Sequence, residues 1–541
     1  MKKYVLALAI LCQASWSAAD RPNILLILCD DVGTGDLRAY NNRETNPDGI
    51  LPPELPTLSR LAEQGMTFLD ANTPAALCAP NRYSLMTGNY VWRGRDASGS
   101  WHFNRGSQIL AGQLTLPSLL QKRGYHTAMF GKSHLGGRVW PKNPLPEGEQ
   151  DYTKITNWDE GRPAGNKQAG DEKAFDYFNA DFTRPLPDGV NDHGFDYSFI
   201  SQGGIQDSPY MWFENGLPYG VDDPADPQKS FVFHPGGRTE NANGVAEIWG
   251  WQAGYGVPSW KSNEVGIEMT QKALDFIDRH HEENQRDQQD RPFFIHFCTE
   301  AVHQPHTPPL SFMGVPVAGQ TESAHGDMLL QIDLMVSQLE QKLLAKGLLE
   351  NTLIIFTSDN GGLRPRESRS KHLSNYGLRE NKALIWEGGH RIPLIMKWGD
   401  GTAGGSKISP ASRAPQFVAL QDIYPTLAEI VGQEVPAGQA VDSIGFSELV
   451  LAENPAGLPA RRHEQAMTGI MDVDFPNEKY QSHKALRSNG WKLITDNDYE
   501  PVFLCNLKLD PMEQENLLDN PEHAGRVAAM IKRLREEMAT E

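Results

Sequence analysis

Asn23-Ile24-Leu25-Leu26-Ile27-Leu28-Cys29 runs straight into Asp30-Asp31, and this junction decides the fold class. The run is apolar without alternation, the pattern of a strand buried on both faces, as in a parallel sheet. Four further runs share that character: Tyr125–Phe130 (YHTAMF), Pro292–Phe297 (PFFIHF), Thr352–Phe356 (TLIIF) and Ile392–Lys397 (IPLIMK). Helical patterns lie between them. Leu58, Leu61 and Ala62 recur at helical spacing before a stopping Gly65, and Met328–Leu349 reads as a longer amphipathic helix. The expectation is an α/β domain with a large mixed, mostly parallel sheet sandwiched by helices.

Working outward, the last part of the chain changes character. Ala485–Ile494 reads as a hairpin turning at Asn489-Gly490, and a final helix behind Asn520-Pro521 carries Val527, Met530, Ile531 and Leu534 on one face. This predicts a smaller C-terminal α+β subdomain over 459–541, with a small antiparallel sheet and a terminal helix, after a main domain over 20–458. At the other end, Lys2 and Lys3 precede the apolar run Tyr4–Cys12, and Ser17-Ala18-Ala19 offers small residues at a cleavage site. That run falls short of the ~20 residues a bilayer needs, and bulky Leu11 disfavours lipid attachment at Cys12. Residues 1–19 therefore read as a cleaved signal peptide, with the protein exported, periplasmic or secreted, and not membrane-bound afterwards. Of the cysteines that follow, Cys29 and Cys298 sit in buried-type runs and read as small core hydrophobes.

The chain has 541 residues, 39% hydrophobic and 22% charged, with a net charge of −19. That charge excludes a non-specific nucleic-acid binder, which needs Lys and Arg to neutralise phosphates. From about Gly136 to Trp260 periodicity is poor and Gly, Pro, Asp and aromatics are frequent, as in functional loops. Trp140, Trp158, Trp212, Trp249, Trp251 and Trp260 could stack on sugar rings or belong to the core, and both readings stand.

Each polar cluster of interest directly follows or flanks an expected strand, where ligands gather in open α/β sheets. Asp30-Asp31 places two carboxylates together, which is costly unless a cation compensates them. Asp359-Asn360-Gly361-Gly362 follows TLIIF and adds hard oxygen donors beside a flexible turn. Singly these read as a solvated turn and an Asx turn. Together they suggest a shared site for Ca²⁺ or Mg²⁺, not zinc, which prefers His and Cys.

Cys78-Ala79-Pro80-Asn81-Arg82-Tyr83-Ser84-Leu85-Met86-Thr87-Gly88 carries most of the inference. Pro80 suits the first turn of a helix, whose N-terminus favours anions. Arg82, one turn on, offers a cationic fork. The string resembles the signature of the type I sulfatases, formylglycine-dependent enzymes of the alkaline phosphatase superfamily: Cys-x-Pro-x-Arg closed by Thr-Gly. Other stretches are similar to that family as well: Pro22–Leu37, Gly131–Gly136 (with Ser133 where Trp is usual), Asp192–Asp196, Leu378–Pro393, Ala485–Ile494 and Leu507–Leu517. Asn81 replaces a common Ser.

The resemblance implies an alkaline phosphatase-like fold and a sulfuric ester hydrolase. It implies that a maturation enzyme oxidises Cys78 to formylglycine, and that Asp30, Asp31, Asp359, Asn360 and an oxygen of modified Cys78 hold Ca²⁺ in preference to Mg²⁺. It places Arg82, Lys132, His134, His306 and Lys382 around the sulfate, with His306 favoured over His303 as the motif histidine; His303 reads equally as a substrate contact or a structural residue. The hydrated aldehyde would attack sulfur through one hydroxyl, and deprotonation of the other would release sulfate. The expected substrate is a sulfated carbohydrate, a polysaccharide or oligosaccharide. Two alternatives stay open: a phosphonate or phosphate ester hydrolase of the same superfamily, and an inactive sulfatase-fold carbohydrate-binding protein.

Overall fold

The computed structural model describes residues 21–42, 49–96, 101, 106–142, 180–234, 237–240, 246–250, 254–470 and 482–539. The expected signal peptide, Trp158, Trp251 and the side chain of Trp249 lie outside the described residues.

Eleven strands form the main sheet. They are β1 (Asn23–Cys29), β2 (Met66–Asn72), β3 (His126–Lys132), β4 (Tyr197–Ser201), β5 (Phe213–Glu214), β6 (Leu217–Pro218), β7 (Phe293–Cys298), β8 (Thr352–Ser358), β9 (Arg391–Ile392), β10 (Leu394–Trp398) and β11 (Ser412–Ala419). Across the sheet the order is β9-β2-β10-β8-β1-β7-β3-β4-β5-β6, with β11 paired to β2. The centre, β8-β1-β7-β3-β4, is parallel throughout. Every residue of β1, β7 and β8 is buried, as a strand covered on both faces requires.

The fold class stands as expected, with differences at the edges of the sheet. Ile392–Lys397 is not one parallel strand. It divides at Pro393, which has no N–H for a ladder, and Leu394–Trp398 runs antiparallel to β8. β2 and β11 escape an apolar-run search because Thr67, Asp70, Asn72, Arg413 and Gln416 interrupt them. The long helix spans Ala324–Ala345, starting earlier than its apolar face suggests because the Ser323 side chain caps it at Gly326 N.

A separate antiparallel sheet follows, built from Glu464–Ile470, Ser482–Ser488, Trp491–Thr495 and Pro501–Asn506. Its hairpin turns at Asn489 and Gly490, whose φ values of 51° and 84° are those of a two-residue type I′ turn. The terminal helix Ala524–Met538 buries Val527, Met530 and Leu534.

Candidate active site

β1 and β8 end level, with Cys29 opposite Ser358, so Asp30 and Asp359 emerge side by side. Asp359 N donates to Cys29 O at 3.0 Å, and Val302 N, from the loop after β7, donates to Asp30 O at 2.7 Å. Asp31 adopts a left-handed φ of 66°, a costly conformation for a residue with a Cβ. Its Oδ1 accepts from Asn360 Nδ2 at 2.8 Å.

Cys78 begins the helix Cys78–Thr87, with Leu77 extended before it. Its Sγ lies 3.3 Å from His134 Nδ1 and 3.9 Å from Lys132 Nζ. Lys132 closes β3, and His134 follows with a φ of 49°. Asn81 fastens the helix in place: its Nδ2 donates to Asp359 O at 2.6 Å, and its Oδ1 accepts from Ala75 N at 3.0 Å. Ser133 is buried and its hydroxyl reaches Ser201 O at 3.3 Å.

The charges are matched pair by pair. Lys132 Nζ meets Asp30 Oδ2 at 2.5 Å, Lys382 Nζ meets Asp31 Oδ1 at 2.7 Å, and Arg82 grips Asp359 Oδ2 through Nε at 2.9 Å and Nη2 at 2.7 Å. Burial pushes Asp30 up, but Lys132, His303 and Arg82 outweigh it and hold the carboxyl well below its ordinary value. Asp31 and Asp359 are raised, by burial first, with Asp30 repelling both. Burial would lower Lys132 and Lys382, yet Asp30 beside one and Asp31 beside the other raise them.

Two oxygens are left over. Asp30 Oδ1 and Asn360 Oδ1 are buried without a hydrogen-bond partner among the described residues. Ligand atoms of Asp30, Cys78 and Asp359 lie within 4.8 Å of one another. Orphaned acceptors among crowded carboxylates need a positive charge, and an all-oxygen set fits a hard divalent cation. Asp30, Asp31, Asp359 and Asn360 would hold it.

The structure brings Asp30, Asp31, Cys78, Arg82, Lys132, His134, His303, Asp359, Asn360 and Lys382 together, and it separates His306 from them. His303 Nε2 stands 3.9 Å from Asp31 Oδ2. The His306 ring instead lies 5.4 Å, edge-on, from that of His325, and its Nε2 contacts Val302 O at 3.1 Å. The chain between the two histidines is Gln304-Pro305, and only the tertiary path of that loop decides which one turns inward. Arg82 is 1% exposed, with its fork on Asp359 and its Nη1 donating to Lys132 O at 2.7 Å.

Sequence reasoning missed Glu300, two residues past β7, whose Oε1 accepts from Ser201 Oγ at 2.7 Å. Burial pushes its carboxyl up to about 7, against the Ser201 hydrogen bond. Its place after an apolar strand, like that of Asp30 and Asp359, was the available signal. Trp212 and Trp260 are core, 5.5 Å apart between ring centroids, and Trp140 lies under Arg184 at 3.8 Å. All four of Cys29, Cys78, Cys298 and Cys505 are buried thiols without a disulfide.

The sulfatase family model matches residues 22–433. The chain belongs to the sulfatase family. A model described as the C-terminal part of N-sulphoglucosamine sulphohydrolase matches residues 375–540 of this sulfatase. A similar curated relative is an N-acetylgalactosamine-6-O-sulfatase of Bacteroides thetaiotaomicron, 27% identical, with 95% of this chain and 93% of that protein covered. Among solved structures, a 6S-sulfatase from work on glycosaminoglycan metabolism by Bacteroides thetaiotaomicron superposes with a TM-score of 0.71 at 24% identity, covering 96% of this chain and 99% of that one. The phosphonate monoester hydrolase of Agrobacterium radiobacter shares the fold, with a TM-score of 0.56, 16% identity and 96% coverage of each chain. The fold thus accommodates both ester classes, and the family model makes this chain a sulfuric ester hydrolase.

Proposed function

We infer that the protein removes sulfate from a sulfated carbohydrate, using formylglycine made from Cys78 by a maturation enzyme and Ca²⁺ held by Asp30, Asp31, Asp359 and Asn360. The carrying observation is the position of Cys78: it opens a helix N-terminus, within reach of His134 and Lys132, beside two orphaned oxygens. A thiol is a poor ligand for a hard cation, whereas an oxidised and hydrated Cys78 presents oxygens. Formylglycine would supply a nucleophilic hydroxyl plus a second hydroxyl for sulfate release, and the cation would supply Lewis acidity.

The chain's own residues supply the rest. His134 Nδ1 faces position 78 and is placed to take a proton from it. Lys132 lies between Asp30 and position 78 and keeps its positive charge there. The side chains of His303 and Lys382, 9% and 15% exposed, stand closest to solvent in the cluster. They are placed to bind the sulfonyl oxygens and to hand a proton to the leaving alkoxide, a step worth about 10²–10⁴-fold. The motif role expected of His306 passes to His303.

The carbohydrate assignment draws support from the N-acetylgalactosamine-6-O-sulfatase relative. Lys2, Lys3 and the apolar run Tyr4–Cys12 support export, and the separate antiparallel sheet supports a division near residue 459. Peptide mass spectrometry of the Cys78 segment, after expression with a maturation enzyme, tests the modification; an active protein with an intact thiol would refute it. Matched aryl sulfate and aryl phosphonate esters test the ester class, and faster phosphonate turnover would favour the other hydrolase. A screen of defined sulfated oligosaccharides, with desulfation read by mass, tests the substrate class.

A further inference from the structure

Next to the active site lies a second buried cluster for which the proposed reaction has no use. Asp36, His325 and His372 are 0%, 0% and 2% exposed. Both imidazoles converge on one oxygen: His325 Nε2 lies 2.9 Å and His372 Nε2 2.8 Å from Asp36 Oδ1. Asp36 Oδ2 accepts from Gly33 N at 2.9 Å. All three ligand atoms lie within 4.8 Å of one another. Ser374 Oγ stands 3.4 Å from His325 Nε2.

We propose that Asp36, His325 and His372 bind a second divalent ion, a nitrogen-preferring transition metal such as Zn²⁺, with the Ser374 hydroxyl nearest the fourth position. Two imidazoles and a carboxylate are a zinc-type donor set, unlike the oxygen set of the first site. Bond lengths near 2.0–2.1 Å put tetrahedral ligand atoms roughly 3.3 Å apart, so the observed separations need open by only about half an ångström. Both imidazoles turn the same nitrogen toward one buried carboxylate oxygen, the convergence expected of ligands around a shared ion. The Nδ1 atoms of His325 and His372 are buried without partners among the described residues.

The position gives such an ion a task. Asp36 continues the loop that begins with Asp30-Asp31, His325 sits in the first turn of the helix Ala324–Ala345, and His372 precedes the segment leading to Lys382. Gly35 N already donates to Ser374 O at 2.8 Å across this junction. One ion would lock three segments that carry or support the hard-metal site.

The test is Zn²⁺ binding to the full chain, stripped by chelator and then held in excess Ca²⁺ so that the oxygen site stays filled. Competition with a chromophoric chelator should report one equivalent of tightly bound Zn²⁺, and Co²⁺ in its place should give the strong visible absorption of a tetrahedral site. His372→Ala should weaken this binding by roughly 100-fold or more, and Asp31→Asn should leave it intact. If alanine prevents folding, His325→Gln and Asp36→Asn keep size and polarity while removing a ligand. Wild-type protein that binds no equivalent, or an equivalent indifferent to all three ligand substitutions, would overturn the proposal. The readout is metal content, so the result holds whichever ester the enzyme cleaves.

Discussion

Two buried knots of charge can be compared directly. In the active site, Asp30, Asp31 and Asp359 face Arg82, Lys132 and Lys382. Where the main domain meets the C-terminal sheet, Glu387, Glu513 and Asp70 face Lys492, Arg391 and Arg487. Each knot balances three negative against three positive groups, and both are almost wholly removed from water. They differ in what is left over. In the second, Glu387 receives Lys492 at 3.2 Å and Arg391 at 2.7 Å, and Glu513 receives Glu387 N at 2.7 Å and Lys492 at 2.9 Å. Its orphans are the Nε donors of Arg391 and Arg487 and one acceptor, Glu513 Oε1, which still faces Lys492 Nζ at 2.9 Å. In the first, the orphans are oxygens. Burial, charge pairing and orphaned atoms are therefore common to both knots, and ligand atoms of three residues lying within 4.8 Å of one another distinguish, among the described residues, the knot that would take a cation.

The strongest way to break this comparison is Cys78→Ala. Turnover of an aryl sulfate should fall at least about 10⁴-fold, because the nucleophile is gone, while thermal unfolding changes little. A large loss of stability would show that position 78 is structural. Glu387→Gln should do the reverse. Removing one partner from a buried ionic knot costs about 3–5 kcal/mol, so denaturant midpoints should drop sharply, with turnover per folded molecule retained.

The two histidines sharpen the picture next. His303→Ala should lower turnover by about 10²-fold or more and His306→Ala by less than about tenfold; the opposite order would restore His306 to the site. Chelation separates the knots again. Removing the hard cation should abolish turnover and lower the melting temperature, with loss of up to about 3 kcal/mol if it was held at 100 times its Kd. Ca²⁺ should restore turnover better than Zn²⁺, and Asp31→Asn should not respond.

The last expected effect is a pH slope. His296, buried beside Phe195 and Phe294, is pushed down to about 3 by burial, with Arg82 adding to the shift. The unfolded chain takes up this proton near pH 6.5, well before the folded one does. Its contribution to stability is complete above pH 6.5 and is lost as pH falls toward 3, at up to about 1.4 kcal/mol per pH unit. His126 and His280, held down to about 4 by burial, act in the same direction. Melting temperatures between pH 7 and 4 should therefore fall less steeply in His296→Leu than in the wild type; equal slopes would refute this.

The sequence by itself determined what is local. Continuous apolar runs fixed β1, β7 and β8, because a strand covered on both faces tolerates few polar side chains. Carboxylates directly after such runs marked the strand ends, and Cys78 to Gly88 specified a helix whose first turn would carry the proposed nucleophile. Tertiary structure decided whatever depends on which distant segments meet. No spacing rule joins Asp36 to His325 and His372, or tells His303 from His306, because burial of one imidazole and exclusion of another follow from the path of the loop after β7. The fork of Arg82 reads from sequence as a sulfate ligand, yet it is taken by Asp359, 277 positions away, at 2.7 Å. A side chain's chemistry is written in its residue type. Its partner is settled only when the strand ends come together, since in a dry interior the nearest opposite charge outcompetes any ligand arriving from water.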